Sequence, residues 1–467
     1  MLFESTRGAD NGRTFEEVLL KGLADDGGLY IPSEWPQVDI RKLKTCSSFI
    51  DIAKLIVPLF TSSSYKDEEV LTLLENTWHD FDKTDLVGIE KIRDDIFIGE
   101  LFHGPTAAFK DFGLQLCAAF FNKALEKNNK TAIILGATSG DTGSAAIDAC
   151  KEYENIKTFM LLPEGNMTNI QRKQMTTVKK ENVFVLNIEG TFDDCQDIVK
   201  AAFKEKYFLK SNQVLLAINS INWTRIIGQI CYYFYLGLKI NNLSKKLCYS
   251  IPSGNFGNVF ACYSAMKLGL PVDRIGVSVN DNDILHRFFS NNIYKKESVS
   301  STLSPSMDIT VASNFERLVY DFYLERDAEK CKDFFANFPE SSIVLEEEIW
   351  QKTSNLFCST STGDKETIEV MKKMHQDFNY VIDPHTAVGM CASKLFGGPI
   401  SSPLVILSTA HPGKFLDSLK KANITSFKKH HVLEKVINKS EYSFSLEANQ
   451  DQILSLIHIS EPTRPVT

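Results

Sequence analysis

Apolar and polar positions follow one recurring order from about residue 96 onward. A short apolar run predicts a buried strand, a loop of small polar residues comes next, and a helical repeat follows the loop. The order occurs four times, at IFIGELF with HGPT, TAIILG with ATSGDTG, KLCYSI with PSGNFGN and SPLVILS with TAHPG. It predicts an α/β protein with a parallel sheet, in which the four loops meet where ligands bind, at the carboxyl ends of the strands.

The rest of the chain divides around this unit. Residues 1–88 show helical periodicity interrupted by the turn-rich DDGGLYIPSEWP, so we expect a mostly helical N-terminal domain there and an α/β unit over 89–425. Within that unit, NSINWTRIIGQICYYFYLGL predicts a buried helix. Residues 426–467 form a C-terminal segment. Its last 14 residues, LSLIHISEPTRPVT, do not continue any element in composition, and we expect this tail to be non-native.

Charge and composition exclude several classes of protein. The chain carries 51 Lys and Arg against 59 Asp and Glu, a net charge of −8, which argues against the basic face of a nucleic-acid-binding protein. The N-terminus lacks a signal-peptide pattern, and no stretch approaches the roughly 18 apolar residues of a membrane span. We therefore expect a soluble, cytoplasmic protein without nucleic-acid or membrane partners.

Cysteine and histidine usage predicts no metal site. The ten cysteines form no C-x-x-C pair, and most lie in apolar surroundings, as buried thiols do. The nine histidines include no H-E-x-x-H motif and no spaced cluster.

The loop Gly254-Asn255-Phe256-Gly257-Asn258 lies between an apolar strand and a helix start. Glycines let the backbone approach a ligand, and the free amides of the following helix carry partial positive charge. An anion, most naturally a phosphate, is therefore the expected guest. The pattern matches neither dinucleotide nor P-loop motifs, and a simple tight turn is the alternative.

A second loop rich in hydroxyls comes directly before a helix and contains Thr138, Ser139, Asp141 and Thr142. Two such loops in one chain suggest two anions. The alternative is that each residue is only a helix N-cap, which is the commonest use of these residue types.

Lys110 falls in the first turn of a predicted helix, between Phe109 and Phe112. Burial and a helix N-terminus both disfavour an ammonium, which would make the amine a nucleophile toward an aldehyde. Thr409 ends a strand and offers a neutral hydroxyl that could donate to a ring nitrogen. Taken alone, the local sequence favours an ordinary surface lysine at position 110 and an ordinary strand end at Thr409.

Eight motifs in order and spacing resemble the threonine synthases. They are ELFHGPTAAFKDFG (100–113), ATSGDTG (137–143), FDDCQ (192–196), NSINWTR (219–225), PSGNFGN (252–258), TLSPSMD (302–308), DPHTAVG (383–389) and STAHPGKF (408–415). The resemblance spans about residues 1–420. It implies a two-lobed enzyme of pyridoxal-phosphate fold type II, like the tryptophan synthase β chain, with the cofactor between two α/β lobes.

The resemblance also assigns roles. Lys110 would hold pyridoxal 5′-phosphate covalently, residues 254–258 would hold its phosphate, and Thr409 would face its pyridine nitrogen. The 138–143 loop, Asn222 and Arg225 would receive the substrate carboxylate and phosphate. The chain departs from many relatives at Asn258, where Asp is common, and at Gly413, where Ala is usual; neither change removes a reactive group.

The implied activity is conversion of O-phospho-L-homoserine and water to L-threonine and phosphate, in a monomer or homodimer acting on a small molecule. One alternative is a related phospho-lyase that releases 2-oxobutyrate. The other is a catalytically silent binding protein on the same fold, whose expected mark, loss of the lysine, is absent here.

Overall fold

The computed structural model describes residues 1–459 except 83–84, 139, 164, 166, 206–207, 353–354 and 397–401. The strands of this part of the chain are β1 Phe3–Ser5, β2 Tyr30–Pro32, β3 Gly88–Arg93, β4 Ile96–Glu100, β5 Thr131–Ala137, β6 Ile156–Pro163, β7 Val183–Glu189, β8 Gln213–Leu216, β9 Leu247–Pro252, β10 Val272–Val279, β11 Phe357–Ser361, β12 Leu404–Ser408 and β13 Phe444–Glu447.

The α-helices are α1 Phe15–Lys21, α2 Ile40–Leu43, α3 Phe49–Thr61, α4 Asp67–Thr77, α5 Lys110–Lys127, α6 Asp141–Cys150, α7 Asn169–Thr176, α8 Phe192–Glu205, α9 Trp223–Asn241, α10 Gly257–Lys267, α11 Ile284–Asn291, α12 Phe315–Leu318, α13 Ala328–Ala336, α14 Glu347–Gln351, α15 Asp364–Phe378, α16 Pro384–Cys391, α17 Leu416–Lys421, α18 His431–Ile437 and α19 Gln450–Ile459. Three 3-10 turns and one π turn supplement them, at Pro305–Met307, Ala392–Phe396, Pro412–Lys414 and Val319–Tyr323.

The larger lobe contains a six-stranded sheet in the order β11-β10-β9-β12-β4-β3. Its strands are parallel except for β3, which pairs antiparallel with β4 at one edge. The central strands β9 and β12 are buried along their whole length, as expected for parallel strands covered on both faces. This explains why they appear in the sequence as continuous apolar runs.

The smaller lobe contains a five-stranded parallel sheet in the order β13-β7-β6-β5-β8. Together the two sheets confirm the predicted two-lobed α/β fold. The C-terminal segment contributes the edge strand β13, so it completes this lobe rather than standing apart from it.

The prediction that the last 14 residues continue no element is wrong for those that the structure describes. They begin inside α19, where Ile453, Leu454 and Ile457 are buried in the apolar core of the smaller lobe. These three positions have helical spacing. Ile453 comes before the 14-residue tail and the other two lie within it, so the helix crosses the boundary at which we divided the sequence. Residues 460–467 lie outside the described part.

The N-terminal region is mostly helical, as predicted, with one addition. The turn-rich stretch contains β2, which pairs antiparallel with β1 and sets Glu4 opposite Ile31. Helix α1 begins with a capping box, in which the Thr14 and Glu17 side chains each bond the other residue's backbone amide.

Helix α9 is the predicted buried helix. It is buried from Trp223 to Leu238 and packs against α3, α5 and α10. Its first turn therefore sits inside the protein, next to the loops that follow the strands. Among the described residues, no helix combines the length and apolar character needed to cross a bilayer.

Candidate active site

A cavity of about 1340 Å³ lies between the lobes, lined by loops that follow the carboxyl ends of strands in both sheets. Lys110, the 254–258 loop and Thr409 come from the larger lobe. The smaller lobe contributes Thr138, Gly140, Asp141, Thr142 and Gly143. The structure thus brings three of the four predicted loops together at one place. It also brings there Lys110, which follows the fourth loop.

Lys110 is the first residue of α5 and exposes only 11 % of its side chain. Its Nζ lies 3.7 Å from Oδ2 of Asp141. Burial lowers the pKa of Lys110 to about 8; the carboxylate of Asp141 opposes this shift, while the positive charges of Lys414 and Arg225 add to it. A substantial fraction of the amine is therefore neutral near physiological pH, as a nucleophile requires.

The backbone around Lys110 is tied to the loop that carries Thr409. The Phe109 amide donates to the Thr409 carbonyl at 2.8 Å, and the His411 amide donates to the Ala107 carbonyl at 3.1 Å. The buried carboxylate of Asp111 accepts hydrogen bonds from the Thr106 amide and hydroxyl at 2.9 and 2.6 Å, which fixes the turn before α5. Lys110 and Thr409 are therefore held relative to each other by main-chain contacts.

Lys414, which we did not predict as a site residue, is completely buried behind the cavity. Its Nζ lies 2.6 Å from Oδ1 of Asp141 and donates to the Thr106 carbonyl at 2.9 Å, while Gln171 donates to the same Asp141 oxygen at 2.9 Å. Burial alone would raise the pKa of Asp141, but Lys414 and Lys110 hold it well below its ordinary value. A carboxylate that stays ionised in this way repels a substrate anion. The structure therefore favours a positioning role for Asp141 over the predicted contact with the substrate.

The 254–258 loop has the geometry of an anion site. Phe256 adopts a left-handed conformation, with φ of 64°, and α10 begins at the next residue without a side-chain cap. The Oδ1 of Asn258 accepts a hydrogen bond from Tyr233 at 2.7 Å, and its Nδ2 is buried without a partner among the described residues. The first amides of α10 and this Nδ2 are therefore donors available to a negatively charged group.

Close packing favours a glycine at the start of this loop. A Cβ at Gly254 would lie 3.1 Å from both the Met307 Cα and the Ser306 carbonyl oxygen. The 305–308 segment thus covers the loop, and it also lines the cavity.

The hydroxyl-rich loop is only partly free to bind a ligand. The Oγ1 of Thr138 accepts hydrogen bonds from the Gly140 and Gly143 amides at 3.2 and 3.0 Å, so it supports the start of α6, as the capping alternative proposed. Thr142 lines the cavity in the first turn of that helix. Ser139 lies outside the described residues.

Asn222 does not line the cavity. Its Oδ1 accepts from the Thr224 amide at 3.1 Å as the N-cap of α9, and its Nδ2 donates to the Leu19 carbonyl at 2.9 Å. The structure therefore makes Asn222 a helix cap rather than the predicted substrate ligand. A polar residue immediately before an apolar helix is the sequence signal of such a cap.

Arg225 does line the cavity, and only 3 % of it is exposed. Its Nη1 donates to the Ile218 carbonyl at 3.2 Å, its Nε has no partner, and no carboxylate within 4 Å pairs with it in the described part of the chain. Burial lowers the pKa of Arg225 to about 10. A buried guanidinium without a carboxylate partner is well suited to bind an anionic ligand.

One histidine cluster forms outside the cavity although the sequence shows none. Potential ligand atoms of Asp82, His430 and His431 all lie within 4.8 Å of one another. Sequence spacing could not reveal this grouping, because Asp82 lies in a distant part of the chain.

Comparisons with known proteins give the family. A model of pyridoxal-phosphate-dependent enzymes matches residues 82–334, and models of the threonine synthase N terminus and C-terminal region match 2–78 and 386–457. Threonine synthase of Pseudomonas aeruginosa is 40 % identical over 427 residues, 91 % of each chain, and that of Saccharomyces cerevisiae is 39 % identical over 457 residues, 90 % of this chain and 89 % of the yeast protein. The chain belongs to the threonine synthase family.

A solved threonine synthase confirms the fold. The pyridoxal-phosphate-bound enzyme from Brucella melitensis superposes with a TM-score of 0.94 at 33 % identity, covering 99 % of this chain and all of that one. The threonine synthase relatives favour the threonine-forming activity over the phospho-lyase and over a silent binding protein.

The cavity fits the cofactor of threonine synthases, pyridoxal phosphate. Lys110 offers an amine for the aldehyde, the uncapped start of α10 and the unpartnered Asn258 Nδ2 offer donors for the phosphate, and Thr409 offers a neutral hydroxyl for the ring nitrogen. These side chains and helix amides thus match the aldehyde, the phosphate and the ring nitrogen of the cofactor.

Proposed function

We propose that this chain converts O-phospho-L-homoserine and water to L-threonine and phosphate, with loss of phosphate from Cγ and addition of water at Cβ. The observation that carries the proposal is the meeting, in one cavity, of the Lys110 amine, the uncapped α10 start and the Arg225 guanidinium, which has no carboxylate partner among the described residues. An aldehyde-reactive amine and two separate anion sites are what a phosphorylated cofactor and a phosphorylated substrate require.

Lys110 moves protons in this account. Bound pyridoxal phosphate supplies an electron-withdrawing ring that acidifies the substrate protons near its amino group. The neutral Lys110 amine removes a proton from Cα and then one from Cβ, which lets the phosphate leave from Cγ with its bond electrons. Cγ takes up a proton to become a methyl group, and after water has added at Cβ, Lys110 returns a proton to Cα. The nearby Asp141 carboxylate stabilises the Lys110 ammonium between these steps. The lowered pKa of Lys110 suits both directions of transfer.

Arg225 and the first turn of α6, with Thr142, receive the substrate phosphate. Both line the cavity, and a guanidinium binds phosphate through two parallel hydrogen bonds. Gly254, Asn255, Phe256, Gly257 and Asn258 hold the cofactor phosphate, and Thr409 faces the pyridine nitrogen. The substrate phosphate and the cofactor phosphate are then bound at different helices.

The cellular location and the oligomeric state are also part of the proposal. The enzyme acts on a small molecule in the cytoplasm, as a monomer or a homodimer. Sedimentation of the purified protein and fractionation of cells that express it would test these points.

A lysine variant tests the proposed function. Lys110→Ala should fold and bind pyridoxal phosphate weakly but form no threonine from O-phospho-L-homoserine, because the group that moves the Cα proton is gone. Lys123→Ala is the matched control, since Lys123 lies on the same helix and pairs with Glu69 at 3.0 Å away from the cavity. Normal turnover by Lys110→Ala would contradict the proposal.

A further inference from the structure

His385 lies at the cavity in a fixed orientation. Oδ2 of Asp383 is 2.7 Å from Nδ1 of His385 and accepts from the His385 amide at 3.0 Å, while Oδ1 accepts from the Thr386 amide at 3.1 Å. Asp383 is completely buried and caps α16, so it cannot follow a rotation of the ring. A carboxylate at Nδ1 keeps a proton on that nitrogen, and Nε2 of the neutral imidazole is then an acceptor.

The second ring nitrogen of His385 has no partner in the described part of the chain. The residue lines the same cavity as Lys110, exposes 3 % of its surface and packs against the Phe415 ring with centroids 5.1 Å apart. An unpaired buried polar atom costs about 1–3 kcal/mol. Nε2 is therefore a buried hydrogen-bond acceptor on a residue that lines the cavity. A bound ligand could donate the hydrogen bond that this nitrogen lacks.

Two carboxylates that line the cavity, the buried Asp141 and the half-buried Asp308, are already engaged. Asp141 is bound by Lys414, Gln171 and Lys110, as described above. The Oδ1 of Asp308 accepts from the Asn280 side chain at 2.7 Å and the Thr302 hydroxyl at 2.6 Å, and its Oδ2 accepts from the Thr302 amide at 3.0 Å. Of these three acceptors, Nε2 of His385 is the one left to receive a proton from a ligand.

The ligand that suits this acceptor is a neutral proton donor. A lone pair repels phosphate and carboxylate groups, which the cations and helix starts attract instead. The reaction in the proposed function consumes one neutral donor besides the amino acid, namely the water that adds to Cβ. A histidine oriented by a carboxylate is a common arrangement for accepting a proton from such a nucleophile.

We propose that His385 binds this water and accepts its proton, which makes His385 a residue that determines the product; this inference rests on the proposed function. As the water oxygen bonds to Cβ, one water proton passes to Nε2, and the electron pair of the substrate Cα=Cβ double bond moves to Cα. The Lys110 ammonium then supplies the proton at Cα, and His385 releases its own proton to solvent. Without the addition, the unsaturated compound leaves and hydrolyses to 2-oxobutyrate and ammonia.

The test measures phosphate, threonine and 2-oxobutyrate from O-phospho-L-homoserine with the holoenzyme. His385→Asn should still release phosphate, while the ratio of threonine to 2-oxobutyrate falls about 100-fold, the usual size of a general-base effect. His79→Asn is the control, because His79 forms an exposed pair with Asp80 at 3.3 Å and should keep the wild-type ratio.

Asp383→Asn provides a second variant if His385→Asn does not fold, as judged by circular dichroism and the absorbance of bound cofactor. An asparagine can still cap α16, but its amide can donate to Nδ1 and so leave the proton on Nε2. The threonine share of the product should therefore again fall.

Threonine as the main product in either folded variant overturns the role of His385. Parallel loss of phosphate and threonine in His385→Asn also overturns it, because the residue would then act before water addition. Failure of the wild-type enzyme to make any threonine would instead overturn the proposed function itself, and this role with it.

Discussion

The Nζ of Lys110 lies 3.7 Å from one oxygen of Asp141, and the other oxygen of Asp141 lies 2.6 Å from the Nζ of Lys414. One buried carboxylate thus faces two ammonium groups from different parts of the chain. Because Lys414 holds Asp141 tightly, Asp141 can stabilise a charged Lys110 without forming a short ion pair with it. The lysine is therefore restrained near the cavity but remains reactive.

The pKa of Lys110 predicts how fast the apoprotein captures pyridoxal phosphate. An amine attacks an aldehyde only when neutral, so the rate should rise as pH increases through about 8 and then level off. For a lysine with the ordinary pKa of 10.5, the capture rate would instead keep rising with pH until the pH passed that value. Stopped-flow absorbance over a pH series measures the midpoint, and a rate that is flat from about pH 7 to 9 would contradict the assigned environment.

Loss of the buried cation at Lys414 should be costly. Lys414→Met removes the nearer of the two cations that face Asp141 and leaves the more distant Lys110. Breaking a buried pair in this way costs about 3–5 kcal/mol of unfolding free energy. Denaturant unfolding of the apoprotein measures the loss. Lys394→Met, which removes an exposed pair with Glu366 at 2.7 Å, should cost less than about 1 kcal/mol.

A double variant separates charge pairing from packing at this position. In Asp141→Asn/Lys414→Met neither buried charge of the pair remains, so the protein should be more stable than Lys414→Met alone. If the double variant is instead the less stable of the two, Lys414 stabilises the fold mainly through its hydrocarbon chain.

Arg225 should show opposite effects on stability and activity. Its guanidinium is buried without a carboxylate partner in the part of the chain that the structure describes, so Arg225→Met should leave the thermal midpoint unchanged or higher. The same variant should lower kcat/KM for O-phospho-L-homoserine about 100-fold, because a charged hydrogen-bond partner of the substrate is lost. Arg41→Met, at an exposed position, should change neither quantity.

Inorganic phosphate offers a check of Arg225 that does not depend on turnover. Phosphate that binds the folded protein raises its thermal midpoint. The holoenzyme should show this rise, and holo Arg225→Met should show a smaller one. An equal rise in both proteins would mean that phosphate binds elsewhere.

Much of the site could be predicted from the sequence because its parts are local. Each strand, loop and helix start is continuous in the chain, and parallel strands bring their carboxyl ends together, so Lys110 and the 254–258 loop could be expected to meet. The partners of Asp141, the cap formed by Asn222 and the pair of Asp383 with His385 depend on side-chain orientation. TAHPGKF and DPHTAVG were visible as motifs, but nothing in their spacing indicates that Lys414 is buried against Asp141 or that His385 faces the cavity.

The most direct test of the central claim is the reaction of the holoenzyme with O-phospho-L-homoserine in water enriched in ¹⁸O. Because phosphate leaves with its bridging oxygen and water adds at Cβ, mass spectrometry should find one ¹⁸O in the hydroxyl of L-threonine and none in the phosphate at early times. Appearance of ¹⁸O in the phosphate together with homoserine would show simple phosphate ester hydrolysis and contradict the account.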